Sequence, residues 1–196
     1  MDKQLWKPCN LLYPVPAVMV SCARPGERPD IITVAWTGTV CSEPPMLSVS
    51  IMPKRFSHDI IRDTGEFAVN LTTASLTRAA DFCGVRSGRD TDKFAETGLT
   101  PAAAPHLSCA PVIAEAPVSL ECRVKEVIPL GSHDLFLAEI LGVLVEKSLL
   151  DPQGRLALEK ADPAVYSHGF YYRLGEELGR FGFSVKKEER KRGTRS

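Results

Sequence analysis

Between Val118 and Lys147 the chain holds two long β-type runs, Val118–Ile128 and Leu135–Lys147, joined through Gly131-Ser-His-Asp134. No other feature constrains the fold as tightly. Strands joined by so short a turn run antiparallel, because a parallel pair needs a crossover of a dozen or more residues. Shorter β-type runs repeat the theme. Pro14–Cys22 is entered through prolines, and Arg24-Pro-Gly-Glu-Arg-Pro29 turns it into Ile31–Trp36, which predicts a hairpin. Met46–Ile51 alternates, with Leu47, Val49 and Ile51 on one face and Ser48 and Ser50 on the other, as a half-buried strand does. Phe67–Leu71 is a further strand. The predicted helices are short: His58–Asp63, capped by Ser57 and ended by Gly65, and Thr73–Cys83, with Leu76, Ala79, Ala80 and Phe82 at helical spacing. These elements do not alternate as βαβ, and neither G-x-G-x-x-G nor G-x-x-x-x-G-K-[ST] occurs, which argues against a parallel nucleotide-binding sheet. The expected architecture is mainly β, an antiparallel barrel with short helices packed on it.

A chain of 196 residues suits one domain, expected over 1–185, followed by a basic, disordered tail at 186–196. The stretch from Ser87 to Pro117, rich in Gly, Pro, Ala and charge with one helical turn near Asp92–Glu96, is long for a connection and predicts a functional segment. Lys and Arg balance Asp and Glu at 24 each, so no long-range field draws nucleic acid or an anionic membrane. A small molecule or a protein is the expected partner. Prolines and charges interrupt the N-terminus before an apolar stretch of signal-peptide length develops, and the apolar runs are strand-sized, so a cytoplasmic setting is expected. The six cysteines form no C-x-x-C pair and are read as small buried hydrophobes, with Cys41 set apart by its polar neighbours. No metal site is expected.

Two polar clusters are candidates for chemistry. Thr33, Trp36, Thr37, Gly38, Thr39, Cys41 and Ser42 combine small hydroxyls with a glycine, leaving backbone N–H groups open to a closely approaching ligand. A strand with surface threonines explains the same residues. The second cluster follows Ser48 and Ser50 into Pro53-Lys-Arg55-Phe-Ser57-His58. Arg55 offers a planar fork of donors, and Ser57 stands at a predicted helix N-terminus, where free N–H groups and the helix dipole favour an anion. An N-cap serine beside a surface arginine is the plainer alternative. Of the four histidines, His133 is the strongest candidate, since a turn at a barrel rim can aim a side chain at a ligand. No Ser/His/Asp set or carboxylate pair suggests a hydrolase.

Taken in order, DIITVAWTGTVCSEPPMLSVSI (Asp30–Ile51), Arg55-Phe-Ser57, Thr64-Gly-Glu-Phe-Ala-Val-Asn70, Asp92-Lys-Phe94, Gly131–Ile140 and Tyr171–Gly175 resemble the flavin reductase-like family of FMN-binding split barrels, most closely its flavoredoxin-like branch. The resemblance implies a six-stranded antiparallel Greek-key split barrel and a homodimer with FMN near the interface. It implies that Trp36, Thr37, Gly38, Thr39 and Cys41 line the isoalloxazine, that Ser50, Arg55 and Ser57 serve the phosphate side, that Lys93 and His133 reach the phosphate or ring, and that Tyr166 covers the ring. Relatives often carry asparagine where this chain has Asp30, a departure that exchanges a donor–acceptor for an acceptor. The implied activity is hydride transfer from NAD(P)H to FMN and onward electron delivery to a flavin, a metal complex or a protein. Two alternatives stand beside it: an FMN-binding electron carrier with no nicotinamide site, and a binding barrel without flavin.

Overall fold

The computed structural model describes residues 1–185, and the basic tail predicted at 186–196 lies outside them. In chain order the strands are β1 (Val15–Pro16), β2 (Val18–Cys22), β3 (Asp30–Val34), β4 (Thr37–Ser42), β5 (Pro45–Ile51), β6 (Glu66–Leu71), β7 (Pro101–Ala102), β8 (Val112–Ile113), β9 (Val118–Pro129), β10 (Asp134–Val145), β11 (Ala164–Ser167) and β12 (Phe170–Arg173). Three α-helices are interspersed: α1 (Phe56–Thr64), α2 (Thr77–Val85) and α3 (Lys93–Thr97).

Seven strands form one antiparallel sheet in the order β3-β2-β6-β9-β10-β5-β4. Laid flat, β3 and β4 at the two edges would stand about 29 Å apart, six strand spacings. Only Ala35 and Trp36 separate them in sequence, and such a link reaches ~11 Å. The sheet must therefore curl until its edges meet. The Ser50 N–H, on β5, donates to the Trp36 carbonyl at 2.9 Å, extending the β4–β5 ladder to the bend between β3 and β4. This is the split barrel expected from the sequence, with seven strands rather than six. The added strand is β4, whose threonines and glycine read as a loop; as a mostly exposed edge strand it needs little apolar content.

Alternation fills the barrel. Val18, Val20 and Cys22 of β2, Ile32 and Val34 of β3, Leu47, Val49 and Ile51 of β5, Phe67 and Val69 of β6, and Phe136 and Ala138 of β10 form the inner core, and Ile60 and Ile61 of α1 pack into it. On the outer face Met19 and Ile31 meet Leu76 at the N-cap of α2, Ala80 and Cys83 within it, and Phe94 of α3. Strand β2 is thus buried on both faces, so its sequence does not alternate.

The later part of the long segment 87–117, residues 106–113, lies against β6 and β9, held by three buried polar side chains. The Glu66 carboxylate accepts from the N–H groups of Ser108, Cys109 and Ala110 at 2.7–3.1 Å. Asn70 Oδ1 accepts from the Ile113 N–H and the Ser119 hydroxyl at 2.9 and 2.8 Å. Glu121 accepts from the His106 N–H at 3.0 Å. Buried acceptors matched in this way turn a polar segment into a fixed wall.

Candidate functional site

The site forms where the barrel closes. Helix α1 starts at Phe56 with Arg55 at its N-cap, and no side chain caps it. The sequence placed Ser57 at the cap; instead Ser57 sits inside the first turn, and its hydroxyl donates to Asp30 Oδ2 at 2.5 Å. A nearby buried acceptor outcompetes the local capping bond. Around this helix end lies a cavity of about 140 Å³ lined by Lys54, Arg55, Ser57, Arg86, Ser87, Gly88 and Lys93, among others. Arg55 is half-buried, whereas Lys54 and Arg86 are exposed. Four cations, two serines and a helix N-terminus around a volume of this size are a phosphate-sized anion cradle.

Gly88 makes that wall possible. A Cβ at this position would stand 2.2 Å from Asp30 Oδ1 and 2.6 Å from the Phe56 ring. Its carbonyl accepts from Arg28 Nη2 at 2.7 Å, and Arg89 Nη1 donates to the Lys54 carbonyl at 3.1 Å, joining the segment after α2 to the loop before α1.

Beneath the cradle lies a buried polar cluster. Lys93 Nζ is 3.2 Å from Asp30 Oδ1 and also donates to the carbonyls of Ile31 and Cys83. Asp30, Ser57 and Lys93 are each at most 3% exposed, so each needs the others as partners.

A second cavity, about 160 Å³, shares Ile32 and Arg55 with the cradle and continues past Thr33, Trp36, Ser50 and His133. The Trp36 and His133 rings have centroids 4.5 Å apart at 45°. Burial, with Arg55 adding to it, holds the His133 imidazole below its ordinary pKa. The next residue, Asp134, is tied at 2.9 Å to Nε2 of buried His58 on α1, which fixes the His133 turn against the helix. On either side of Trp36 the surface opens further. One side is a cavity of about 510 Å³ bounded by Cys9–Tyr13, Thr37, Gly38 and Ser50. The other, about 370 Å³, is bounded by Tyr13, Tyr166, Tyr171 and Asp81. The Tyr171 hydroxyl, raised to about 12 by burial and then by Asp81, stays a proton donor facing that carboxylate.

The structure thus brings together Thr33, Trp36, Ser50, Arg55, Ser57, Lys93 and His133, with Thr37, Gly38 and Tyr166 on flanking walls. Asp30 lies below the wall. Thr39 and Cys41 lie farther along β4, outside these cavities, with Cys41 Sγ 3.3 Å from the Glu43 carbonyl. Sequence reasoning singled out Lys93 but passed over Lys54, Arg86, Ser87 and Gly88; the run Arg86-Ser-Gly-Arg89 directly after a helix was the available signal. Burial is the chief cause that pushes the thiols of Cys22, Cys83, Cys109 and Cys122 upward, so they remain protonated. Among the described residues no cluster of His, Cys, Asp or Glu could hold a metal, and no helix is long and apolar enough to cross a membrane.

A family model described as a flavin reductase like domain matches residues 11–175. The flavoredoxin of Desulfovibrio vulgaris (Miyazaki F) superposes with a TM-score of 0.87 at 33% identity, over 95% of this chain and 100% of that one. An FMN-binding protein from Thermus thermophilus, solved with bound 1-cyclohex-2-enone, superposes with a TM-score of 0.74 at 26% identity, over 92% and 99%. An NADPH-flavin oxidoreductase of Streptomyces viridifaciens is 31% identical over 126 residues, 63% of each chain. A relative from Aeropyrum pernix, 34% identical, is likewise matched over only 59% of its own length.

Proposed function

This chain belongs to the flavin reductase like family, and on that premise we propose that it binds FMN along the closure of the barrel and passes electrons from NAD(P)H to an acceptor. One observation carries the reading. A phosphate-sized cavity at the start of α1, walled by Arg55, Lys54 and Arg86, adjoins a second cavity bordered by Trp36 and His133, with Ile32 and Arg55 lining both. The donor set suits a phosphate at one end and a planar ring at the other. Arg55 and the N–H groups of the first turn of α1 would hold the phosphate, with Lys54 and Arg86 at its solvent side. Thr33 and Ser50 border the ring end. The Trp36–His133 pair presents an aromatic wall that carries no positive charge while His133 is neutral. Bound FMN would supply the redox chemistry itself, accepting a hydride and releasing electrons. The chain's own part is to bind, orient and shield.

The acceptor is a flavin, a metal complex or a redox protein. A homodimer that completes the site is part of the same reading. Trp6, Leu11, Leu12, Tyr172 and Leu174 are exposed apolar side chains on the terminal segments, as an interface would need. Six free thiols suit a reducing, cytoplasmic setting.

The test is anaerobic mixing of the FMN-loaded protein with NADH and with NADPH. Bleaching of the flavin band by either supports the reductase; no bleaching by both removes it. The similarity to a flavoredoxin favours a second reading, an FMN-bearing electron carrier without a nicotinamide site. That protein would ignore both nicotinamides yet be reduced reversibly by dithionite. A colourless protein that takes up no flavin on reconstitution would exclude both.

A further inference from the structure

A lysine and a serine lining an anion cavity would ordinarily turn their donors toward the anion. In this chain they do not. Lys93 has three ammonium hydrogens and three acceptors, namely Asp30 Oδ1 at 3.2 Å, the Ile31 carbonyl and the Cys83 carbonyl at 3.3 Å. The single Ser57 hydroxyl proton is committed to Asp30 Oδ2 at 2.5 Å. All the donor capacity of these two side chains is therefore directed away from the cavity they line.

We propose that Asp30 is a positioning residue that limits how strongly this pocket attracts a phosphate, by drawing Lys93 and Ser57 out of it. The inference rests on the flavin-binding reading above. Two effects act in the same direction. The carboxylate cancels the Lys93 charge at contact distance, in a buried setting where solvent screens little. It is also itself a negative charge beside the cavity, separated from it by a residue without a side chain: a Cβ on Gly88 would lie 2.2 Å from Asp30 Oδ1. The attraction left for a phosphate comes from half-buried Arg55, exposed Lys54 and Arg86, and the end of α1. Such a pocket releases its phosphate ligand more readily than one with a free buried lysine.

A carboxamide at position 30 keeps the shape, accepts from Lys93 and donates to the Ser57 oxygen, so the serine proton is released from position 30 and the charge cancellation is lifted. The experiment titrates wild type, Asp30→Asn, Lys93→Gln and the double variant with FMN and with riboflavin, which lacks the phosphate, following flavin fluorescence. Thermal melts of the flavin-free proteins with added inorganic phosphate run alongside. Asp30→Asn is expected to tighten FMN by about tenfold or more while riboflavin changes by less than about twofold, and to gain more protection from inorganic phosphate. Lys93→Gln leaves the carboxylate uncompensated and is expected to weaken FMN selectively. The double variant returns the FMN-to-riboflavin ratio toward wild type.

An unchanged ratio in both single variants, or equal losses for the two flavins, overturns the proposal and leaves Asp30 a scaffold residue. If Asp30→Asn does not fold, Lys93→Gln decides alone by the same criterion. If wild type binds neither flavin but phosphate protects it, and protects Asp30→Asn more, the flavin reading fails and the inference stands. If wild type binds neither flavin and phosphate protects neither protein, both fail.

Discussion

Replacing Arg55 with alanine isolates the phosphate contact better than any other single change. Arg55 occupies the N-cap of α1 but makes no side-chain capping bond there, so alanine forfeits no helix cap. Its carbonyl and N–H, which bond His58 and Met52, are untouched. What is lost is a half-buried guanidinium at the junction of the two cavities. A hydrogen bond to a charged partner contributes about 1.5–3 kcal/mol, which is roughly a 10- to 150-fold rise in the FMN Kd. Lys54, being exposed, should matter less, at most about 1 kcal/mol and fading with added salt. The assay is titration of FMN and riboflavin against wild type and Arg55→Ala, with flavin fluorescence as the readout. Riboflavin affinity should hold. If the FMN Kd does not move, or riboflavin weakens by the same factor, Arg55 does not bind a phosphate and the assignment of this cavity is wrong.

Three further outcomes are expected. The folded state favours neutral His133, because burial and then Arg55 depress its pKa; the unfolded chain takes the proton first as pH falls below about 6.5. Stability from this group is therefore complete above that pH and declines as pH drops toward the lower folded value. Proton NMR of the ring should show a depressed pKa that rises only partly in Arg55→Ala, and an ordinary value in wild type would contradict the burial argument. For Glu66, burial pushes the carboxyl up, but bonds from three backbone N–H groups outweigh it and hold the pKa below the usual range. Its contribution is present above about pH 4.5 and lost as pH falls through the folded value. Glu66→Gln should cost about 1–3 kcal/mol in chemical denaturation and speed amide exchange at residues 108–110; unchanged exchange there would show that the carboxylate does not hold the segment. Gly88→Ala forces a methyl into the space of Asp30 Oδ1 and the Phe56 ring, so FMN binding should fall in titration and the melting temperature should drop. Normal behaviour in both would mean that the wall yields freely.

The strands that could be read were those facing one apolar and one polar environment. Leu47, Val49 and Ile51 alternate with Ser48 and Ser50, and they alternate in burial as well. Thr37–Ser42 could not be read because an edge strand held by β5 on one side carries no such pattern. Helix α2 begins at Thr77 rather than at Thr73. Thr73 accepts the Leu76 N–H at 3.3 Å in a turn before the helix proper, a local bond that composition does not distinguish from an N-cap. The family blocks located Arg55, Ser57, Lys93 and His133 along the chain, and the structure gathers them around two adjoining cavities. It separates Thr39 and Cys41 from them, since β4 runs away from the closure.

By itself the sequence determined the antiparallel β class, the family and the helix start where an anion could sit. Those follow from local patterning and short-range chemistry. Only the tertiary structure decided what Asp30, Ser57 and Lys93 do. Residues 27 and 63 positions apart from Asp30 along the chain meet it in one buried cluster, formed when the barrel closes and α3 packs on β3. Which group receives a lysine's hydrogens is set by the nearest buried acceptor in space, and sequence spacing carries no record of that distance.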